Sequence, residues 1–309
     1  VLQLRHLAYF VAVVDAGSLS RAAQIIHVAQ PSLSQQIAAL EAGIGEPLLL
    51  RSARGVRPTP AGEILYREAV AVLRQVEAIP DRVRHPAKEL TGSVTLGIST
   101  TISSEFGADI LDACSRSLPG VRITFRSADS LTVAAAIENR EFDLGVVFEA
   151  DPMPRLLRRE LYRQRLYMFG ASAETLARAA THGLDSVPLV LPSAPNVLRI
   201  ALERVMAERG IVLTADGEAA TYSDMVMGLS IGNRVTLLPK GELDSLTAGL
   251  ARPVPLEPKV TLTAVIVSSD EFPLSAPAAA VGAIAEQTIA SRVIGGSLRG
   301  AQAVRPGQP

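Results

Sequence analysis

The period of the apolar positions changes along the chain, and each change marks a new kind of element. From Leu4 to Ala16, Leu7, Phe10, Val11 and Val14 fall on one helical face before Gly17 stops the run, which predicts a first helix. Either Ser18 or Ser20 can cap a short second helix through His27, and Gln30-Pro31 opens a third that reaches about Ala42. In the third helix Leu33, Ile37 and Leu40 point inward, so Gln30, Ser32, Ser34, Gln35 and Gln36 form a polar, uncharged outer face. Gly43 and Gly45 end it, and Leu48 to Leu50 read as a short strand followed by a turn that carries Arg51, Arg54 and Arg57. Thr59-Pro60 then starts a long helix to about Ile79, where Pro80 interrupts it. Within it Leu65, Ala69, Val72, Val76 and Ile79 recur at spacings of 4, 3, 4 and 3, the seam of a two-helix contact, and a dimer is its simplest use.

From Thr91 the rhythm becomes strand, helix, strand: Val94 to Ile98, a helix near Ser104 to Leu118, Val121 to Arg126, a helix to about Asn139, and Asp143 to Phe148. This is an α/β unit with parallel strands. A second such unit follows, with strands Leu166 to Gly170, Leu189 to Leu191 and Val235 to Leu238 and helices Asn196 to Arg209 and Ser223 to Ile231. A late strand, Val260 to Val267, and a helix to about Ala290, capped by Ser275 with Pro277 in its first turn, can return to the first lobe. The Gly, Pro, Gln and Arg-rich end beyond Gly295 reads as a disordered tail.

Composition narrows the class. At 309 residues, 48% apolar and 20% charged, the chain has room for a small module and a larger globular domain. A lone Cys114 and four scattered histidines give neither a disulfide nor metal-ligand spacing, so no metal and no cofactor is expected. No secretion signal is recognisable, and the longest apolar runs are far too short to span a bilayer, which points to the cytoplasm and away from membranes. Charge is nearly balanced, with ten basic against eight acidic residues up to position 90, so only local clustering can argue for nucleic acid.

Three short helices can be no more than a packed bundle. Here a polar-faced third helix, an arginine-rich turn and a dimerising helix follow one another, and each has a use on DNA. Amide and hydroxyl side chains on the third helix can pair with base edges in the major groove, with Gln on adenine as the geometric favourite. Arg51, Arg54 and Arg57 suit phosphates or a narrowed minor groove. Farther on, Ser99-Thr100-Thr101 follows a strand and precedes a helix, where hydroxyls and unpaired N–H groups suit an anion or simply cap the helix. No enzyme signature is found: there is no nucleophile elbow, phosphate loop or metalloprotease motif, Gly43-x-Gly45 lacks the setting of a dinucleotide site, and no catalytic residue is assigned.

Phe10, the run Ser18-Leu19-Ser20-Arg21-Ala22-Ala23, then Ala29-Gln30-Pro31-Ser32-Leu33-Ser34-Gln35-Gln36-Ile37 and Leu40-Glu41 resemble the N-terminal signature of LysR-type transcriptional regulators. Leu48 to Arg51, Arg54-Gly55 and Thr59-Pro60-Ala61-Gly62 are similar to that family's wing and linker-helix start, and His27 to Pro31 with Gln35-Gln36 look most like its nitrogen assimilation control branch. The resemblance implies an α/β protein with a winged helix-turn-helix at 1–59, a linker helix and hinge at 60–90, and at 91–295 a two-lobed effector domain of periplasmic-binding-protein type. Lobe I is expected at about 91–162 and 266–292, lobe II at about 163–265, and the tail at 296–309.

By the same resemblance Gln30, Pro31, Ser34 and Gln35 contact DNA with Ser32 and Gln36 adjacent, Ser20 and Thr59 join the arginines on the backbone, and Gln35 stands where the family often carries Arg. Ser127, Phe148, Pro192-Ser193 and Thr221 join Ser99, Thr100 and Thr101 around the cleft. The implied partners are promoter DNA, a second copy or a dimer of dimers, a small carboxylate or phosphate-bearing metabolite, and RNA polymerase if the chain activates. An unoccupied, vestigial cleft is compatible with the same residues. The rival reading is a cytoplasmic solute-binding receptor whose N-terminal module only oligomerises.

Overall fold

Three amphipathic helices need one another to hide their apolar stripes, and the N-terminal unit is the result. In a computed structural model of the chain, residues 2–52, 55–77, 79, 90–230 and 232–304 are described. They divide into two units, one through Lys88 and one that begins at Glu89. The first contains helices α1 (Leu4–Ala16), α2 (Leu19–Ile25) and α3 (Gln30–Ile44), a hairpin of β1 (Leu49–Ser52) and β2 (Gly55–Pro58), and helix α4 (Pro60–Glu77). Phe10, Val13, Leu33, Ile37 and Leu40 are buried in its core. Val13, rather than Val11, completes the inward face of α1, because the helix turns its stripe toward α2, α3 and α4 together. The second helix stops before His27, whose φ of 55° cannot continue it, and the third runs two residues past Ala42 to a left-handed Gly45.

Helix α4 departs from the expected dimer seam. Ala69 is fully buried and Leu65 packs on the core of this same unit, because α4 lies against α1 and Tyr66 donates a 2.6 Å hydrogen bond to Asp15. Among the described residues, the large apolar side chains left exposed on α4 are Ile64 and Val72, and Ile79 beyond it is exposed as well. Thr59 is likewise buried. Its hydroxyl donates to Pro47 O at 2.7 Å and accepts from Gly62 N at 3.0 Å, so it starts a helix and is not a surface contact. Arg54, assigned to the wing from sequence, lies outside the described residues, as do positions 80–89 of the expected hinge.

The second unit is built on a six-stranded sheet. Its strands are β3 (Gly92–Ser99), β4 (Val121–Ala128), β5 (Leu144–Glu149), β6 (Leu156–Arg165), β12 (Thr261–Ser269) and β13 (Ala301–Ala303), in the order β13-β6-β12-β5-β3-β4. Strands β4, β3 and β5 are parallel, and β12, β6 and β13 extend the sheet antiparallel. Helices α5 (Thr100–Ser117) and α10 (Ala276–Ile294) pack on one face and α6 (Ser130–Glu138) on the other. Strand β5 is therefore buried at every position, which explains its apolar run from Leu144 to Phe148.

The second lobe holds an antiparallel sheet of β7 (Tyr167–Gly170) between β10 (Val235–Leu238) and β11 (Val254–Pro255), and a parallel pair, β8 (Val190–Pro192) with β9 (Gly217–Ala219). Around them lie α7 (Ala173–His182), α8 (Val197–Ala207) and α9 (Tyr222–Gly228). The chain passes between lobes at Leu166, directly after β6, and at Val260, directly before β12, where Leu166 N donates to Val260 O at 2.9 Å. The crossings thus fall a few residues inside the expected boundaries at 163 and 265. Residues 301–303, expected in a disordered tail, pair with β6, because Leu298 is buried in the core and brings them to that sheet edge.

Two glycines test this packing in opposite directions. A Cβ on Gly62 would sit 2.0 Å from Leu48 O, whereas one on Gly43, inside α3, meets nothing within 4 Å. Gly62→Ala is expected to destabilise the first unit by at least about 1–3 kcal/mol, and Gly43→Ala to stabilise it by about 0.5–1 kcal/mol. Urea unfolding followed by circular dichroism checks both, and equal effects from the two would contradict the packing described.

Candidate functional site

In the first unit α3 carries its polar residues outward. Gln30, Pro31, Ser32 and Gln35 are exposed, and Ser34 and Gln36 are half-buried. Two of these side chains are held in place. Arg51 on β1 donates from Nη1 to Ser34 Oγ at 3.3 Å, and His6 Nε2 lies 3.0 Å from Gln36 Oε1. Gln36 is thereby fixed against α1, which leaves Gln30, Ser32 and Gln35 as the unengaged part of the predicted reading face. Ser18 caps α2, whereas the N-cap of α3 is Ala29, which offers its first turn no side-chain acceptor. Its N–H groups and partial positive charge stay available to an anion. Ser20 and Arg57 are exposed, so a phosphate can reach both.

The second unit holds a cavity of about 290 Å³. One part of its wall is polar, with Ser99, Thr100, Thr101, Ser127, Asp129 and Thr221, and another is apolar, with Phe148, Val197, Met225, Leu238, Pro239 and Leu262. Ser99 is the N-cap residue of α5, yet its side chain makes no cap bond. It is 3% exposed, and its Oγ has no hydrogen-bond partner. An uncompensated buried hydroxyl costs about 1–3 kcal/mol, so a ligand that accepts from it gains that amount back. Neighbouring polar groups are already committed. Thr100 Oγ1 donates to Ala128 O at 3.2 Å, Asp129 accepts from Leu131 N and Thr132 N at 3.0 Å each, and Ser130 Oγ accepts from Phe148 N at 3.1 Å.

Beside the cavity lies a buried charge cluster. Lys240, 1% exposed, follows the wall residue Pro239 and forms ion pairs with Glu105 at 3.1 Å and Asp244 at 2.6 Å. Tyr222, another wall residue, donates its hydroxyl to Asp244 at 2.9 Å. Burial pushes the Asp244 carboxyl up, but the hydrogen bond and charge of Lys240, with the Tyr222 and Thr247 hydroxyls, outweigh it and hold the group below the usual carboxylate range. Burial and the same Asp244 push the Tyr222 phenol well above its ordinary value, so it remains a donor.

Six residues expected at the cleft, Ser99, Thr100, Thr101, Ser127, Phe148 and Thr221, come together on this wall. Ser193 does not: its N–H is tied to Ala219 O at 3.0 Å, and its neighbour Pro192 lines the cavity instead. Sequence reasoning missed Asp129, Asn196 and Tyr222. Asn196 and Asp129 are helix-start residues and could have been found by that pattern. The Lys240 cluster carries no local signal, since it joins residues from α5 to those of the loop after β10.

Residues 4–63 match the family described as bacterial regulatory helix-turn-helix protein, lysR family, and residues 87–290 match the LysR substrate binding domain. The chain is 30% identical over 246 residues to the nitrogen assimilation regulatory protein nac of Escherichia coli (strain K12), covering 79% of this chain and 81% of that one. In fold it is similar to a full-length OxyR variant from Pseudomonas aeruginosa, with a TM-score of 0.68 at 20% identity over 100% of this chain and 99% of that one. It is also similar to full-length CbnR complexed with its target DNA, with a TM-score of 0.52 at 20% identity over 93% and 100% of the two chains. Among the described residues, no helix is long and apolar enough to cross a membrane.

Asp244 supplies a test of the cluster. Its carboxyl is lowered in the folded protein, so its stabilisation is present above the ordinary Asp value of about 3.9 and is lost as the pH falls through and below it. Asp244→Asn should be less stable at neutral pH but lose less further stability on acidification than the parent. Urea unfolding at stepped pH measures this, and parallel acid limbs would remove Asp244 as a contributor.

Proposed function

The chain belongs to the LysR family of DNA-binding transcription regulators, and from that premise we propose that it reads promoter DNA as a dimer or dimer of dimers under control of a small anion in its second unit. The polar outer face of α3 over the buried Leu33, Ile37 and Leu40 is the observation that carries the DNA-reading part. Gln30, Pro31, Ser34 and Gln35 contact the operator, with Gln35 as the principal base reader because its amide is both exposed and unengaged. Arg51 and Arg57 hold the phosphate backbone, and Arg51 also sets Ser34 by its 3.3 Å hydrogen bond. The family match over residues 4–63 decides against a receptor whose N-terminal module only oligomerises.

The dimer contact uses the stripe left open on the linker helix, Ile64, Val72 and Ile79, since Leu65 and Ala69 are consumed within the protomer. The effector part rests on Ser99, a buried hydroxyl without a partner at the start of an 18-residue helix. Such a position favours an anion through its N–H groups and dipole. Its relatives are transcriptional regulators, and the chain works by binding rather than by catalysis; contact with RNA polymerase would follow if it activates.

Genomic fragments retained by the purified protein and then sequenced reveal the operator, and two variants sort the contacts on it. Gln35→Ala is expected to cost about 1–3 kcal/mol on the selected site and little on random DNA. Arg51→Ala should weaken both and lower the salt slope of binding by about 1. Equal losses on both DNAs for Gln35→Ala would refute base reading by that residue. For the oligomer, Val72→Glu should shift sedimentation to a smaller species at unchanged circular dichroism, and an intact oligomer would move the contact off this stripe.

A further inference from the structure

The cavity is poor in cationic chemistry, and the reason lies in its surroundings. Among the described residues that line it, none is Lys or Arg, and its one carboxylate, Asp129, is committed to capping α6. The ammonium that follows the wall residues Leu238 and Pro239 is drawn away by two carboxylates, Glu105 on α5 and Asp244 in its own loop, and Ser104 Oγ lies 3.3 Å from it. Two carboxylates against one ammonium leave that cluster with an excess negative charge. Asp244 also takes the Tyr222 hydroxyl, so Tyr222 lends its ring to a wall that Met225, Leu238, Pro239, Phe148 and Leu262 already make apolar.

We propose that the cavity accepts a compact monoanion with an apolar body, and that Lys240 and Asp244 are positioning residues that set this preference by holding an ammonium and a phenol hydroxyl out of it. The inference rests on the reading of this cavity as the effector site. One carboxylate can be satisfied by the Ser99 hydroxyl and the N–H groups of the first turn of α5, whose dipole amounts to about half a charge. A second negative charge finds no cation in the wall. It would instead meet Asp129 and the negative cluster, and it would lose hydration against an apolar surface that offers nothing in return. The same asymmetry gives a neutral isostere the body contacts without the anion site.

Isothermal titration of the full-length chain with cyclohexanecarboxylate, cyclohexanecarboxamide, succinate and inorganic phosphate tests this. Cyclohexanecarboxylate is expected to bind at least about tenfold more tightly than the other three, the scale of one charge-assisted hydrogen bond. Tyr222→Phe, which keeps the ring, should retain that order. Asp244→Ala, which leaves the ammonium with Glu105 alone and frees the Tyr222 hydroxyl, should narrow the gap between cyclohexanecarboxylate and succinate by about tenfold, the same scale. Stronger binding of succinate or phosphate, equal binding of the carboxamide, or a Tyr222→Phe chain that loses the order would overturn the proposal. An unchanged order in folded Asp244→Ala would overturn the positioning role; if that variant does not fold, the parent and Tyr222→Phe titrations still decide the ligand class. Retained fragment binding without binding of any probe defeats this inference alone, whereas loss of fragment binding by the parent defeats the proposed function.

Discussion

The first turn of every helix leaves N–H groups without an intrahelical partner, and how this chain disposes of them organises both of its sites. Most starts are closed by a side chain: Ser18 for α2, Thr59 for α4, Asp129 for α6, Ser172 for α7, Asn196 for α8, Thr221 for α9 and Ser275 for α10. Three described α-helices begin without one. Apart from the terminal α1, these are α3 at Ala29 and α5 at Ser99. One heads the helix with the polar outer face and the other opens at the cavity. The unsatisfied groups are concentrated where an anion, phosphate in one case and a small acid in the other, can supply the missing acceptor.

Holding those two helix starts in place requires different supports. α3 is fixed from below by Leu33, Ile37 and Leu40 and at its C-terminal end by Glu41, whose Oε1 accepts from Leu48 N and Leu49 N and so ties the helix to the hairpin. α5 is held by Ile102, Phe106 and Ile110 against a sheet covered on both faces, and by Arg292 of α10, which donates to Glu105 O at 2.6 Å and pairs with Asp109 at 2.9 Å. Both helices are tied down by packing and by hydrogen bonds from a second element, which is what a site needs if its polar atoms are to wait unpaired for a partner.

The buried Lys240 cluster is costly by comparison. Desolvating an ammonium and two carboxylates is offset by short ion pairs, by the hydroxyls of Tyr222, Ser104 and Thr247, and by the N–H groups of Leu246 and Thr247. Its position explains its use better than stability does. It joins α5 to the loop after β10 and takes up the hydroxyl of Tyr222, a residue of the cavity wall.

The sequence alone determined the order of elements, the division into an N-terminal helical module and an α/β domain, and the inward residues of α3, because each follows from local period, capping and chain punctuation. It located six of the wall residues through strand-to-helix junctions and family position. Tertiary structure decided the rest. Leu65 and Ala69 fit a dimer seam by spacing, yet α1 occupies that face first, and periodicity cannot say which neighbour arrives. The strand at Ala301–Ala303 looked like a tail because its pairing with β6 depends on a partner far away in sequence, and Thr59 looked exposed until Pro47 and Gly62 enclosed its hydroxyl. Most decisively, whether Lys240 serves the cavity or avoids it rests on Glu105, which local sequence cannot bring to its side, since only the packing of α5 against the second lobe brings the two charges together.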